Sequence, residues 1–91
     1  MGIPEELYCV MMEVGYCAKR QKIPGPLAQT IIGNAQRSLE LWHKDPTSAQ
    51  RFAAIILSGP TDLRTTTAQL DPLTCRACWR LIGLLEYIAD G

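Results

Sequence analysis

Apolar residues recur along this chain at intervals of three and four, and prolines and glycines divide the pattern into four segments. Such intervals place apolar side chains on one side of a helix. Asp followed by Pro is typical of a helix start, because the carboxylate accepts hydrogen bonds from free N–H groups and Pro fits the first helical position. Asp45-Pro46 and Asp71-Pro72 fit this pattern. We therefore predict an all-α fold, a compact bundle of four main helices. These helices are expected over about residues 4–22, 26–44, 46–58 and 72–89.

The first and fourth segments are apolar around more of their circumference than one neighbouring helix covers. In the first, a core stripe that includes Val10 and Val14 is accompanied by a second stripe on another side, formed by Tyr8, Met12 and Tyr16. A surface helix of a small monomer usually shows one apolar arc of roughly 100°. The fourth segment is apolar except for a narrow strip, formed by Arg76, Arg80, Gly83, Tyr87 and Asp90.

The second and third segments have simpler patterns. The second is apolar on one side from Ala28 to Trp42 and polar on the other, which predicts a helix on the bundle surface. The third is apolar nearly all round over residues 52–57, so we expect it to be the central buried helix. Between Pro60 and Leu70, three consecutive threonines lower helix propensity and predict a loop or one short extra helical turn.

Length and charge exclude several classes of protein. Ninety-one residues make one domain. Nine Lys and Arg balance nine Asp and Glu, which argues against a protein held by nucleic-acid phosphates or by an anionic membrane surface. The longest apolar run, residues 52–57, falls far short of the roughly 18 residues of a membrane span. The start of the chain lacks the pattern of a signal peptide, and the four cysteines are interpreted as reduced thiols, so we expect a cytoplasmic protein.

Cys75-Arg-Ala-Cys78 is the pattern closest to a chemical motif. A redox pair places its first cysteine at a helix amino terminus, whereas Cys75 is predicted about one turn inside a helix and in an apolar setting. A zinc site would need two further ligands, but Cys9 and Cys17 lie roughly 12 Å apart along a helix, too far for both to bind one ion. We expect inert buried cysteines and no bound metal, and keep a zinc-stabilised helical module as an alternative.

The residues offer no recognised catalytic arrangement. The one histidine, His43, lies at a helix carboxyl end, where the helix dipole favours its charged form, and the acidic residues are scattered. No nucleophile elbow, metalloprotease motif or phosphate-binding loop is present. We predict a protein that is not an enzyme and needs no cofactor. Arg76 and Arg80 share one side of the fourth segment, so a DNA-binding or DNA-associated helical domain remains an alternative.

The excess apolar surface has two interpretations. The apolar arcs of the first and fourth segments could both be buried in a four-helix core. Alternatively, they could bind another molecule, since large exposed apolar patches mark interaction sites. We favour the second, because Tyr, Trp, Met and Arg are enriched at interface centres. We predict a non-enzymatic cytoplasmic regulator, a homodimer that blocks or sequesters a partner protein such as a transcription regulator. The predicted partner-binding residues are Tyr8, Met12, Tyr16, Arg76, Trp79 and Arg80.

Overall fold

Four helices make up nearly all of the described chain. The structure, a computed structural model, describes residues 2–58 and 76–90. Within these ranges there is no β-strand, and the predicted all-α bundle is confirmed. None of the described helices is both long and apolar enough to cross a membrane. The helices are α1 (Ile3–Lys19), α2 (Gly25–Lys44), α3 (Pro46–Ser58) and α4 (Arg76–Ala89). The predicted start of the fourth helix at 72, the connection over residues 60–70 and Cys75 lie outside the described residues.

Acidic side chains bind free N–H groups at the starts of α1 and α3, and the sequence indicated the one at α3. At α3, one carboxylate oxygen of Asp45 accepts a hydrogen bond from the Thr47 backbone N–H at 3.1 Å, and the other accepts one from the Ser48 hydroxyl at 2.9 Å. At α1, the Gly2 backbone N–H donates to the Glu5 carboxylate at 3.1 Å. Both acidic side chains also lie at the positive end of a helix dipole, so they stabilise these starts electrostatically.

The first helix ends three residues earlier than predicted. Lys19 is its last residue, and Gln21 adopts a left-handed backbone conformation with φ of 59°. The Gln21 N–H then bonds the Ala18 carbonyl at 3.0 Å and the Lys22 N–H bonds the Cys17 carbonyl at 2.9 Å. This pair of bonds is a Schellman motif, which normally has glycine at the left-handed position. The early turn directs the chain so that the following residue, Ile23, is buried.

Gln21→Gly is therefore expected to raise the free energy of unfolding by about 1 kcal/mol, because glycine carries no steric penalty at positive φ. Urea denaturation followed by circular dichroism would measure the change. The matched control is Gln29→Gly in the exposed interior of α2, where the same substitution should lower stability by ~0.5–1 kcal/mol. Destabilisation by both variants would contradict the left-handed conformation of Gln21.

The helices pack in chain order around one core, and α1 closes the arrangement by packing against α4 as well as α2. One end of the bundle gathers the start of α1, the end of α2, the start of α3 and the end of α4. Two contacts establish this arrangement. The Gln50 side chain near the start of α3 donates a hydrogen bond to the Ala89 carbonyl at the end of α4 at 3.1 Å. Ile3 of α1, Trp42 of α2 and Tyr87 of α4 line one groove at this end.

The most buried described helix is α4, not α3 as predicted. Half of α4 is buried, and its fully buried members include Leu81 and Leu85. In α3 only Ala49 and Ala53 are buried, while Ile55 is 65% exposed. Ile56 and Leu57 are only partly buried against the core, so the apolar run over residues 52–57 surrounds a helix that is packed on one side. The prediction of a central third helix was wrong for this reason.

The second helix matches its predicted surface position. Its apolar side, including Ile31 and Ala35, is buried, and its polar side is exposed. The sequence pattern did not indicate Ser38, which is fully buried and whose hydroxyl has no hydrogen-bond partner among the described residues. A small residue at this position lets the helix approach its neighbours closely, at the cost of a desolvated hydroxyl.

Candidate functional site

The predicted second stripe of α1 points away from the core. Tyr8, Met12 and Tyr16 are 59%, 66% and 58% exposed, whereas Val10 and Val14, on the opposite side of the same helix, are fully buried. The three side chains recur every fourth residue and so lie along one outward line of the helix. We call Tyr8, Met12 and Tyr16 the α1 stripe. Within the described part of the chain, packing between the helices therefore leaves the α1 stripe exposed.

A neighbouring arginine holds one ring of the α1 stripe. The Arg20 guanidinium donates a hydrogen bond to the Tyr16 hydroxyl at 2.6 Å, and its central carbon lies 5.4 Å from the ring centroid. Contacts of this kind at exposed sites contribute about 0.5–1 kcal/mol. They restrict the Tyr16 side chain before any partner arrives, which lowers the conformational entropy lost when a partner binds.

A second apolar surface lies on the outward side of α4. Trp79 is 43% exposed and Tyr87 is 67% exposed, and Gly83 lies midway between them on the same side. Among the described residues the space around Gly83 is open, since an added Cβ would meet none of their atoms within 4 Å. Arg76 and Arg80 are exposed beside these residues. We call Arg76, Trp79, Arg80, Gly83 and Tyr87 the α4 face.

Tyr87 was missed as a candidate partner-binding residue because it was grouped with the polar strip. The available signal was its position eight residues after Trp79, which places both rings on one side of the helix. The structure thus exposes all six predicted partner-binding residues, three on α1 and three on α4, and adds Tyr87 to the second set.

An ion pair connects α4 to α1. Arg80 Nη1 lies 3.4 Å from Glu13 Oε1, and both side chains remain partly exposed. A pair in this setting contributes at most about 1 kcal/mol to stability, because water screens it. Its larger consequence is electrostatic: the Glu13 carboxylate compensates part of the positive charge of Arg80, so the α4 face presents less positive charge than its two arginines suggest.

An open groove of about 720 Å³ lies between the start of α1 and the end of α4, with Trp42 of α2 contributing to its lining. Trp42 and Tyr87 also line a hollow of about 220 Å³ at the start of α3, so these two rings border both depressions. We call the larger depression the end groove. Its lining is mostly apolar, and Arg80, Gly83 and Tyr87 belong to the α4 face as well. The remaining lining residues are Gly2, Ile3, Glu6, Trp42 and Leu84.

The side chains that could perform chemistry are dispersed. Among residues 2–58 and 76–90, no three His, Cys, Asp or Glu side chains lie close enough to hold a metal ion. Cys9 and Cys17 are half-buried and Cys78 is fully buried. His43 is exposed at the end of α2, beside Tyr8 in a shallow hollow.

Relatives give no independent indication of function. Comparison with protein-family models, with curated proteins and with solved structures finds no match to this chain. The function is therefore inferred from the surfaces described above.

Proposed function

We propose that this protein is a non-enzymatic regulator that acts by binding another protein and covering one of its surfaces. The observation that carries the proposal is the exposure of five large apolar or aromatic side chains on the α1 stripe and the α4 face. Covering one such side chain is worth roughly 1.5–3 kcal/mol, which is a large amount for a domain of this size. These two surfaces therefore provide most of the binding free energy that the described residues offer.

The α4 face and the end groove form the surface best suited to a foreign protein. Trp, Tyr and Arg, the residues most frequent at binding hot spots, are all present there, next to a depression that could hold an apolar side chain or part of a helix. Gly83 leaves the helix backbone open to close approach between the two rings. A partner with an exposed apolar helix, such as a transcription regulator with its own dimer interface, fits this surface.

The proposal includes a homodimer and a cytoplasmic location. The α1 stripe is a second exposed surface on a different helix, so one chain can contact a copy of itself and a foreign partner at the same time. The location is inferred from the cysteines, interpreted as reduced thiols in a reducing compartment. The zero net charge and the ion pair of Arg80 with Glu13 favour a protein partner over DNA, whose phosphates need uncompensated positive charge.

Replacing Trp79 by aspartate should remove the foreign partner. The ring is 43% exposed on the α4 face, so its loss should weaken binding by about 2–4 kcal/mol, typical of a tryptophan hot spot, without unfolding the chain. Affinity capture from the native cell extract, with wild-type and variant protein as baits at equal concentration, measures this loss by quantitative mass spectrometry.

The matched control is Ile55→Asp, which places the same charge at an exposed apolar residue on a different helix, α3, that contributes to neither surface. A protein that is captured by wild type and by Ile55→Asp but not by Trp79→Asp supports the proposed function. Equal capture by all three baits would show that the α4 face does not bind the partner.

A further inference from the structure

The outward side of α1 has an internal symmetry. Relative to Met12, tyrosines lie four residues before and four residues after, and oppositely charged residues lie seven before and seven after. The charged residues are Glu5 and Lys19, and all five side chains are exposed. Offsets of four and seven return to the same side of a helix, so the five residues form one straight line of about four turns.

We propose that α1 packs antiparallel against α1 of a second copy of this chain, around a two-fold axis at Met12. The inference rests on the proposed function, because it names the second copy as the occupant of the α1 stripe. In this arrangement Met12 faces Met12 of the second copy, and Tyr8 faces Tyr16 of the second copy twice. Glu5 likewise faces Lys19 of the second copy at both ends of the contact.

Charge complementarity selects the antiparallel orientation. A parallel pair of α1 helices would place Glu5 beside Glu5 and Lys19 beside Lys19, which is repulsive at both ends. The antiparallel pair replaces both repulsions with attractions. The hydrogen bond from the Gly2 N–H occupies one oxygen of Glu5, and a carboxylate has further acceptor capacity for the lysine. The contact uses the same surface on both copies, so it closes at two chains and does not extend into a fibre.

The area of the α1 stripe sets the expected strength of the dimer. Three side chains exposed by about 60% supply roughly 400 Å² per copy, about half of what each partner contributes to an interface of standard size. The tyrosines need little ordering on binding, since each has two side-chain torsions and Tyr16 is already held by Arg20. We expect a reversible dimer with a dissociation constant on the order of micromolar.

Charge reversal on the full-length chain tests the arrangement by sedimentation equilibrium. Glu5→Lys and Lys19→Glu should each raise the dissociation constant about 10-fold, because two attractions become two repulsions. Mixing the two variants should restore wild-type affinity in a heterodimer, since at both ends of the contact a lysine of one variant then faces a glutamate of the other. The double variant should also recover, because it exchanges the two charges without changing the pairing.

The matched controls are Glu6→Lys and Lys22→Glu, which reverse the same charges near the same ends of α1 but off the outward line. They should leave the dissociation constant within about 2-fold of wild type. Circular dichroism at each concentration confirms that all variants are folded. The antiparallel dimer would be overturned if the control reversals changed the dissociation constant as much as the reversals at Glu5 and Lys19. It would also be overturned if mixing the two variants restored no affinity, or if the wild type were still monomeric at about 100 micromolar.

The capture experiment with Trp79→Asp separates this inference from the proposed function. Loss of the foreign partner with Trp79→Asp, together with charge reversals that leave self-association unchanged, would overturn the antiparallel dimer and leave the proposed function standing. Charge-dependent self-association without any partner captured through the α4 face supports the antiparallel dimer and contradicts regulation of a foreign protein by that face.

Discussion

Met12→Asp is expected to abolish self-association while the chain remains folded. Met12 is 66% exposed and is not part of the core, so its replacement should change the midpoint of thermal unfolding by only a few degrees. In the proposed dimer the residue lies on the two-fold axis, where two aspartates would be brought together in an apolar contact. Desolvation and like-charge repulsion should then weaken the dimer at least about 100-fold. Sedimentation equilibrium measures the dissociation constant of the dimer, and thermal circular dichroism measures the midpoint of unfolding.

Two further variants make the result of Met12→Asp specific. Met12→Leu keeps an apolar side chain of similar volume and should preserve the dimer. Val14→Asp places the same charge on the buried side of the same helix, where it should prevent folding. Should Met12→Asp unfold the chain as Val14→Asp does, the α1 stripe would belong to the core and no surface for the proposed dimer would remain.

Local sequence signals were enough to predict the helices and the α1 stripe. The Asp45-Pro46 start of α3 depends on a side chain two residues from the groups it caps, so neighbours in space are not needed to identify it. The direction of Tyr8, Met12 and Tyr16 follows from helix periodicity once Val10 and Val14 mark the opposite, buried side. These features depend only on residues within one helix, which are close together in the sequence, so the sequence pattern is sufficient to predict them.

Features that depend on contacts between helices were predicted poorly. The end of α1 is decided by the burial of Ile23, which requires Gln21 to adopt a conformation that glutamine rarely takes. The end groove forms only where Trp42 of α2 meets the start of α1 and the end of α4. Residues this far apart in the chain give no shared periodic signal, so Trp42 and Tyr87 could be recognised as neighbours only in the folded structure.

The relative burial of α3 and α4 has the largest consequence for stability. Leu85→Ala should lower the free energy of unfolding by about 2–5 kcal/mol, because Leu85 is fully buried and its loss leaves a cavity in the core. A domain of this size has on the order of 5–15 kcal/mol in total, so the variant should lose a large fraction of its stability and unfold at a lower urea concentration. Urea denaturation at concentrations below the expected dimer dissociation constant measures the effect on the monomer.

Ile55→Ala is the matched comparison, because it removes an aliphatic side chain of the same size from α3. The apolar run over residues 52–57 predicted that this side chain lies in the core, whereas its 65% exposure implies a change of only about 0.5 kcal/mol. The two interpretations of α3 therefore predict losses in the free energy of unfolding that differ several-fold. If Ile55→Ala lowered the free energy of unfolding as much as Leu85→Ala, α3 and not α4 would be the central buried helix.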